Sequence, residues 1–477
     1  MLLTIGLEIH IKLKSINKMF CQCKNEQNFD NLIPNTNICP VCTAQPWALP
    51  TLSEEVLEKA LLLGKALNCK INETSTFDRK SYFYPDLPMG YQITQLYHPT
   101  NTQGQVSFFL NNYTDEKTIH IQDAHMESDT GKMIHDGGQA LLDFNRAGTP
   151  LVEIVTLPDF STTEEVVEFL KELQRIVRYN DIADADLEKG QMRVDVNISV
   201  RKSEKDPLWT RVEVKNINSF GMIKRAIEHE QVRQEKIYEA GETFTQQTRG
   251  RDDAKGESYL MRSKEDALDY RYFPEPDLPP LHLSDKTFKR LNEQKVEIPH
   301  NVIKQFKEYG FNKEYINALI GDKEVLDYFM AFVDKKIEPK LIAKWIAGPI
   351  AARMKENFVA IDALKFSSGQ FGEFLTKAQA GSLMENQLKI IMDEMLSTWK
   401  NPEDIIKEKW FDAPAIDESE LEKIVQQVLT DNPTIVEQYT WWKTTTMWFF
   451  VGQVMKKTWG KVSPQVIQDI IQKILLW

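Results

Sequence analysis

No run of apolar residues in this chain approaches the ~20 that a membrane-spanning helix needs. No G-x-x-x-x-G-K-[ST] loop occurs anywhere in its 477 residues. The first absence argues against a helical membrane protein. The second means that any ATP has to be held by side chains and a divalent metal rather than by a phosphate-cradling loop. The opening residues enter a strand pattern at once and leave no room for a signal peptide, so the cytoplasm is the expected compartment, a processed organellar form staying open. Basic residues are in deficit, 58 Lys and Arg against 70 Asp and Glu, a net charge of −12. That balance argues against nonspecific coating of nucleic acid or membrane but leaves room for a local RNA site. Residues 421–477 hold six Lys/Arg and four Asp/Glu and so run about +2, a mild asymmetry. No internal repeat or low-complexity segment is present. What remains, 42% hydrophobic and 27% charged, is the composition of a globular protein long enough for several domains.

Cysteines are few, five in all, yet four of them are patterned. Cys21 and Cys23 form C-x-C, and Cys39 and Cys42 form C-x-x-C, with fifteen residues between the pairs. Two short-spaced thiol pairs flanking a loop suit a closed tetrahedral zinc site with no open position for catalysis. Two disulfides, which a cytosolic chain disfavours, or unliganded buried thiols are the alternatives. Cys69 reads as a small core residue.

Strand signals dominate the first part of the chain. From Thr4 to Leu13, Ile5, Leu7, Ile9, Ile11 and Leu13 alternate with Gly6, Glu8, His10 and Lys12. Arg193–Arg201 alternates as strictly, with Arg193, Asp195, Asn197, Ser199 and Arg201 in one polar row, and Arg211, Glu213 and Lys215 align in a neighbour. Asp123, His125, Glu127 and Asp129 share parity in a strand that turns at Thr130-Gly131. Such rows are salt-bridged sheet surface, or they are what a hard cation and a triphosphate require. Glu153 sits inside the apolar run L-V-E-I-V, where an unpaired carboxylate is costly, so it should face a partner, a cation or water. The aromatic and basic stretch Phe77–Gln92 reads mostly as a loop, able to stack a base and pair a phosphate or simply to pack across a sheet end.

Helical signals interrupt and then replace this pattern. Ser53–Asn68 reads as a helix, and Ser161–Tyr179 as another, with Ser161 and Glu164 spaced as a capping box and Val166, Phe169, Leu170, Leu173 and Val177 as its apolar stripe. Residues 225–240 read as a charged helix. Thr248–Arg251 and Met261–Arg271 are arginine-rich, and Tyr272–Leu281 reads as an extended, proline-rich exit toward a boundary near 290. Residues 294–405 are helical in texture. More helices follow, carrying six of the ten tryptophans: Trp410, Trp441, Trp442, Trp448, Trp459 and Trp477. Met447–Met455 with Lys456 and Lys457 is either an RNA-stacking face or, the reading that helical spacing favours, the core of a small helical module.

In order, G-L-E-I-H, the two cysteine pairs, F-D-R-K-S-Y-F-Y-P-D-L-P, H-M-E-S-D-T-G-K and N-R-A-G-T-P-L-V-E-I-V make one half of a longer pattern. V-D-V-N-I-S-V-R, V-K-N-I-N-S-F, D-Y-R-Y-F-P-E-P-D-L and F-V-G-Q-V-M-K complete it. From residue 5 to about 465 the chain resembles the B subunits of the aspartyl/glutamyl-tRNA amidotransferases. The resemblance implies an α+β protein: an antiparallel-sheet cradle over 1–292 with the ATP and metal site and the zinc loop, a helical domain over 293–405, and a helical tail over 406–477 that touches tRNA. It implies a carbon–nitrogen ligase that uses ATP and Mg²⁺ to phosphorylate the side-chain carboxylate of Glu or Asp misacylated on tRNA(Gln) or tRNA(Asn). Ammonia comes from a separate glutaminase A subunit, and a small C subunit braces the heterotrimer. It assigns Glu8, His10, Glu127, Glu153 and Asp195 as catalytic metal and ATP ligands, with Glu8, His10 and Glu127 on magnesium and Cys21, Cys23, Cys39 and Cys42 on zinc. Arg79, Lys80 and Arg193 become phosphate or substrate contacts. Lys215, also a cofactor contact, orients substrate or sheet together with Asn216 and Asn218.

The chain departs from the family pattern in two places. Ser128 stands where relatives usually carry a second Glu, so one metal ligand would be lost and Asp129 or water would have to substitute. Ala44 and Trp47 stand where relatives usually carry glycines, so the loop beside the zinc must be rerouted or strained. Ser128 motivates an alternative, a zinc-stabilised tRNA-binding homologue with weak or no kinase activity.

Overall fold

The computed structural model describes all residues except 30, 253–256, 264–269, 365, 412–416, 442–445, 459–461, 463 and 476–477. Nine described strands build one sheet, and four of them come early in the chain: β1 (Leu2–Lys12), β2 (Lys70–Ile71), β3 (Asn101–Leu110) and β4 (Asp115–Ser128). The others are β5 (Pro150–Thr156), β6 (Met192–Arg201), β7 (Val212–Ile217), β8 (Gln247–Asp252) and β9 (Glu257–Ser263). Across the sheet they run β9-β8-β7-β6-β1-β5-β4-β3-β2, antiparallel except for the parallel β7–β8 pair. The alternating stretch at the start of the chain is therefore the central strand.

Alternation sorts the two faces as expected. Leu3, Ile5, Leu7, Ile9 and Ile11 of β1 are at most 8% exposed, and Val194, Val196, Ile198 and Val200 of β6 at most 2%. Helices α1 (Glu54–Ala66), α2 (Thr163–Tyr179) and α3 (Phe220–Glu239) close this core, α2 over β3 and α3 over β6. Phe169 of α2 meets Phe160 and Phe108 edge to face at 5.1 and 5.9 Å. The α2 cap lies one residue later than the spacing predicts. Thr162, not Ser161, accepts from the Glu165 amide, and the Glu165 carboxylate reaches back to the Ser161 amide at 2.7 Å. Glu165 wins this role because it is buried beside Lys117 (3.3 Å), whereas Glu164 points to solvent.

The Tyr82–Gly90 loop joins two short strands, Asp78–Ser81 and Tyr91–Thr94, into a hairpin. The proline-rich segment does not leave the domain as an extended exit. Phe273–Pro274 pairs with Asp78–Arg79, and Leu281–His282 pairs with Thr74–Ser75, so the segment is stitched back onto the hairpin side. Residues 264–269 of the arginine-rich 261–271 stretch lie outside the described residues.

The chain divides into two compact units, Met1–Gln305 and Phe306–Trp477. The described elements of the second are helices. One core holds Phe306, Phe329, Phe332, Trp345, Phe371 and Phe374, and another is built from Leu421, Val425, Phe450, Val454, Ile467 and Ile471. Helix Met447–Lys457 divides its aromatics, burying Phe450 while Trp448 stays 64% exposed on the side away from the core. Trp442, Trp459, Trp477 and the Trp441 side chain lie outside the described residues. No described helix is long and apolar enough to cross a membrane.

Candidate active site and metal centres

Strand register, rather than strand pattern, assembles the site. His10 on β1 stands opposite Arg193 on β6 and Glu153 on β5, and Glu153 stands opposite His125 on β4. One row further along, Glu8 faces Asp195. Of these groups Glu8, His10, His125, Glu153 and Asp195 line a cleft of about 580 Å³ on the polar face of the sheet, which Lys80, Lys215, Arg211, Tyr270 and Tyr272 also line.

The donors fall into two trios, each with ligand atoms within 4.8 Å of one another: His10, Glu127 and Glu153, and Glu8, Asp195 and Glu213. In the first, His10 Nε2 lies 3.3 Å from Glu153 and 3.8 Å from Glu127. His125 Nε2 meets the same Glu153 oxygen at 3.3 Å while its Nδ1 bonds Asp123 at 2.7 Å. Burial works against both imidazolium forms, but the carboxylates outweigh it and hold His10 and His125 up at about 10. Glu153, buried between the two imidazoles, is correspondingly held well below the usual carboxylate range. The strand carboxylate thus has the partners its burial demands.

The second trio is differently balanced. Lys215 pairs with Asp195 and, at 3.0 Å, with Glu213, and Asn197 donates to Glu8 at 3.0 Å. Burial, then Glu153 and Glu213, push the Glu8 carboxyl upward. Carboxylates crowded until one resists ionisation are what a hard divalent cation relieves. The buried Glu127 Oε2, which accepts no hydrogen bond among the described residues, is a second oxygen suited to a cation. The all-carboxylate trio fits magnesium by donor chemistry, and the His10 trio offers two carboxylates to such an ion, with His10 as a ligand only once its proton is displaced.

The predicted residues do not all converge here. Glu8, His10, Glu153, Asp195, Lys80 and Lys215 line the cleft, and Glu127 is buried behind His10 and Lys80, 3.7 Å from the Lys80 ammonium. Glu8 and Asp195 belong to a different trio from His10, Glu127 and Glu153, so the donors grouped together from the sequence lie in two clusters. Arg79 is elsewhere: its guanidinium is clamped by Glu275 at 2.8 and 2.8 Å, with Asp277 at 3.2 Å. Arg193 turns from the row to Asp129 at 2.6 Å and is not a lining residue. Asn218 does not line the cleft, and the Asn216 side chain lies outside what is described. Glu213, His125, Asp123 and Arg211 were missed as site residues. For all four the signal was parity with a neighbour already chosen. Tyr270 and Tyr272 had no periodic signal at all.

Ser128 is resolved by the same parity. Ala124 and Met126 are fully buried on the core side, and Ser128 follows them, its hydroxyl 3.3 Å from the Ile93 amide. It is not a cleft residue, and neither is Asp129, which holds Arg193 and, at 3.5 Å, Arg146. Neither residue lines the cleft, and Asp129 is in neither donor trio.

The four cysteines gather on the other flank with their sulfurs within 4.8 Å, all as free thiols. Cys23 and Cys42 are 4.0 Å apart, twice a disulfide bond. A fully buried lysine tests the fit to zinc. Lys18 is 0% exposed, donates to the Asn37 carbonyl at 2.9 Å, and places its ammonium 3.8 Å from Cys42 Sγ. A hydrogen bond from Cys21, then the Lys18 charge, draw the Cys42 thiol down to about 5. An ammonium buried beside four sulfurs suits a zinc tetrathiolate, whose net charge is negative. Lys18→Met is expected to weaken zinc retention about 10- to 100-fold, read as the rate of zinc transfer to a chelator. Wild-type release would show that the ammonium is not its counter-charge.

The loop after Cys42 keeps a glycine-like path without glycines. Ala44 (φ 55°) and Trp47 (φ 69°) both sit in the left-handed region, and Trp47 is 99% exposed. Replacing either with glycine removes the Cβ clash at a position with little packing to lose. Ala44→Gly and Trp47→Gly are each expected to stabilise by up to about 1 kcal/mol, seen in thermal unfolding of zinc-loaded protein. A lower midpoint in either variant would show that the loop gains more from the side chain than it loses to strain.

The sheet thus brings imidazole and carboxylate donors from β1, β4, β5, β6 and β7 together, and a helical unit follows it in the chain. Residues 3–289 match the family described as the GatB/GatE catalytic domain, and residues 327–475 match the GatB domain. Over 473 residues, 99% of this chain and 98% of the relative, it is 40% identical to the B subunit of the aspartyl/glutamyl-tRNA(Asn/Gln) amidotransferase of Persephonella marina. It is 42% identical over 478 residues to that of Pseudothermotoga lettingae and 40% over 480 to that of Thermotoga maritima, each again covering 99% of this chain and 98% of the relative. The chain belongs to the family of aspartyl/glutamyl-tRNA(Asn/Gln) amidotransferase B subunits.

Proposed function

We propose that the chain is the kinase and transamidase subunit of a cytoplasmic tRNA-dependent amidotransferase. The pair of donor trios in one cleft, flanked by Lys80 and Lys215, is the observation that carries this reading. An oxygen of the misacylated Glu or Asp side chain attacks the γ-phosphorus of ATP, and ADP leaves. Ammonia then attacks the acyl carbon of the resulting acyl phosphate, a proton is lost, and phosphate departs. Magnesium, when bound, neutralises phosphate charge and aligns the in-line transfer. His10, Glu127 and Glu153 would hold one ion and Glu8, Asp195 and Glu213 another. Lys80, paired with Glu127, and Lys215, paired with Asp195 and Glu213, hold the donor carboxylates in place, and Tyr270 and Tyr272 wall the cleft. Ammonia would come from a glutaminase A subunit in a heterotrimer with a small C subunit. The exposed Trp448, on a helix that ends in Lys456 and Lys457, supports tRNA contact by a tail domain over 406–477, after a helical domain over 293–405.

The test is glutamine-dependent amide formation by the chain with its partner subunits, ATP and misacylated tRNA. Wild type is expected to turn over and Glu8→Ala to lose turnover. Tight tRNA binding without ATP turnover, indifferent to Glu8→Ala, would instead identify a binding protein. Supplying Glu-tRNA(Gln) and Asp-tRNA(Asn) separately resolves the substrate.

A further inference from the structure

Almost every cation at the cleft is already neutralised. Lys80 faces Glu127, Lys215 lies on Asp195 and Glu213, and the two histidines share Glu153. Just outside the cleft, Arg193 is taken by Asp129 and Arg79 by Glu275. Arg211 is the exception. It lines the cleft, is exposed, and makes no ion pair or side-chain hydrogen bond among the described residues. A guanidinium left unpaired in a cleft so rich in carboxylates has capacity reserved for an anion that arrives from outside.

The position of Arg211 narrows that anion. Arg211 immediately precedes β7 and lines the cleft together with Glu213 and Lys215, so it stands two residues, at most ~7 Å of backbone, from Glu213. Glu213 belongs to the trio with Glu8 and Asp195. A polyphosphate that met a divalent cation at this trio would have its remaining oxygens within reach of Arg211. The planar fork of arginine suits such oxygens better than a lysine ammonium does.

Building on the kinase reading, we infer that Arg211 is the clamp for the terminal phosphates of the nucleotide. It is a binding residue at the outer end of the β7 row, delivering two donors to phosphate oxygens that the protein's carboxylates cannot approach. Phosphodiesters of the tRNA end offer the same chemistry, so the experiment has to separate the two sources.

Calorimetric titration of the full-length chain with a magnesium-bound, non-hydrolysable ATP analogue, and separately with adenosine, provides the test. Arg211→Gln is expected to weaken the triphosphate tenfold or more, the usual effect of losing hydrogen bonds to a charged group. Adenosine should bind it as it binds wild type, and Arg211→Lys should fall between. Lys205→Gln, an exposed charge outside the cleft, controls for net charge. Equal triphosphate affinity in wild type and Arg211→Gln overturns the clamp. So does a rise in KM for misacylated tRNA with triphosphate affinity unchanged, which would assign the arginine to the tRNA backbone. Absence of triphosphate binding by wild type itself overturns the kinase reading and the clamp with it, a result distinct from equal binding by both proteins. Because Arg211 is exposed, matching thermal midpoints will show that each variant is folded.

Discussion

On the proposed kinase reading, replacing Glu153 with glutamine is expected to lower kcat for amide formation by about 10²- to 10³-fold, the usual effect of removing one preorganised electrostatic group from such a site. The substitution keeps the shape of the side chain and removes only its charge. That charge has two uses in the fold. It is a donor in the His10–Glu127–Glu153 trio, and its Oε2 lies 3.3 Å from both His10 and His125. Stability should therefore fall as well in metal-free protein, by about 2–3 kcal/mol where both imidazoles are charged, because two partly buried cations lose their common anion and keep only Glu127 and Asp123. The pH dependence has a definite sign. His10 and His125 are raised from 6.5 to about 10 in the fold, so their contribution is complete below about 6.5 and disappears as pH rises through about 10. The deficit of Glu153→Gln should be largest at pH 6 and shrink toward pH 10, measured by denaturant unfolding in the presence of a chelator. A deficit that grew with pH would mean that the imidazoles are neutral in the fold, and the electrostatic account of the row would fail. Full activity in Glu153→Gln would remove the carboxylate from the chemistry.

What could be read from sequence followed the range of each signal. Alternation is local, so the centre of the sheet was legible in β1 and β6 down to which residues face the core. Cysteine spacing is nearly local, and the four thiols do converge. The cost of burying Glu153 unpaired is a property of its own strand, and it pointed to partners without naming them. Register is not local. Whether Glu8 meets Asp195 or Glu127 depends on how four strands slide past one another, and a one-residue slip exchanges faces. The division of the donors into two trios was therefore out of reach, and so was Glu213, although its parity with Lys215 was visible. Ser128 shows the opposite failure: parity alone places it on the core side with Met126, but the motif it interrupts drew the reading toward the metal. Long-range pairing also explains the proline-rich segment, whose partners lie almost two hundred residues earlier in the chain.

Arg79 carries the second large expectation, because its chemistry and its location point in different directions. A basic residue in an aromatic loop reads from sequence as a phosphate contact, yet the fold uses it as a strut. Both arms of the guanidinium are on Glu275, whose side chain is fully buried, and the flat face lies 4.2 Å over the Tyr91 ring. The strut fastens the 273–274 strand to the hairpin, and that segment carries Tyr270 and Tyr272 to the cleft wall. Removing one partner of a buried, bidentate pair leaves the other charge without compensation. Arg79→Met is therefore expected to cost about 3–5 kcal/mol, read in the first unfolding transition of the chain. Arg79→Lys should recover little, since an ammonium cannot reproduce two parallel bonds. Neutralising the carboxylate as well, in Arg79→Met with Glu275→Gln, should restore most of the loss, because well-packed neutral groups replace buried ion pairs at small cost. The double variant also separates strut from ligand. If Arg79 only braces the wall, the double variant will be stable and will bind triphosphate as wild type does. If it touches phosphate, stability will return while nucleotide affinity stays low. The second outcome would restore Arg79 to the site and require its pairing with Glu275 to open when nucleotide enters.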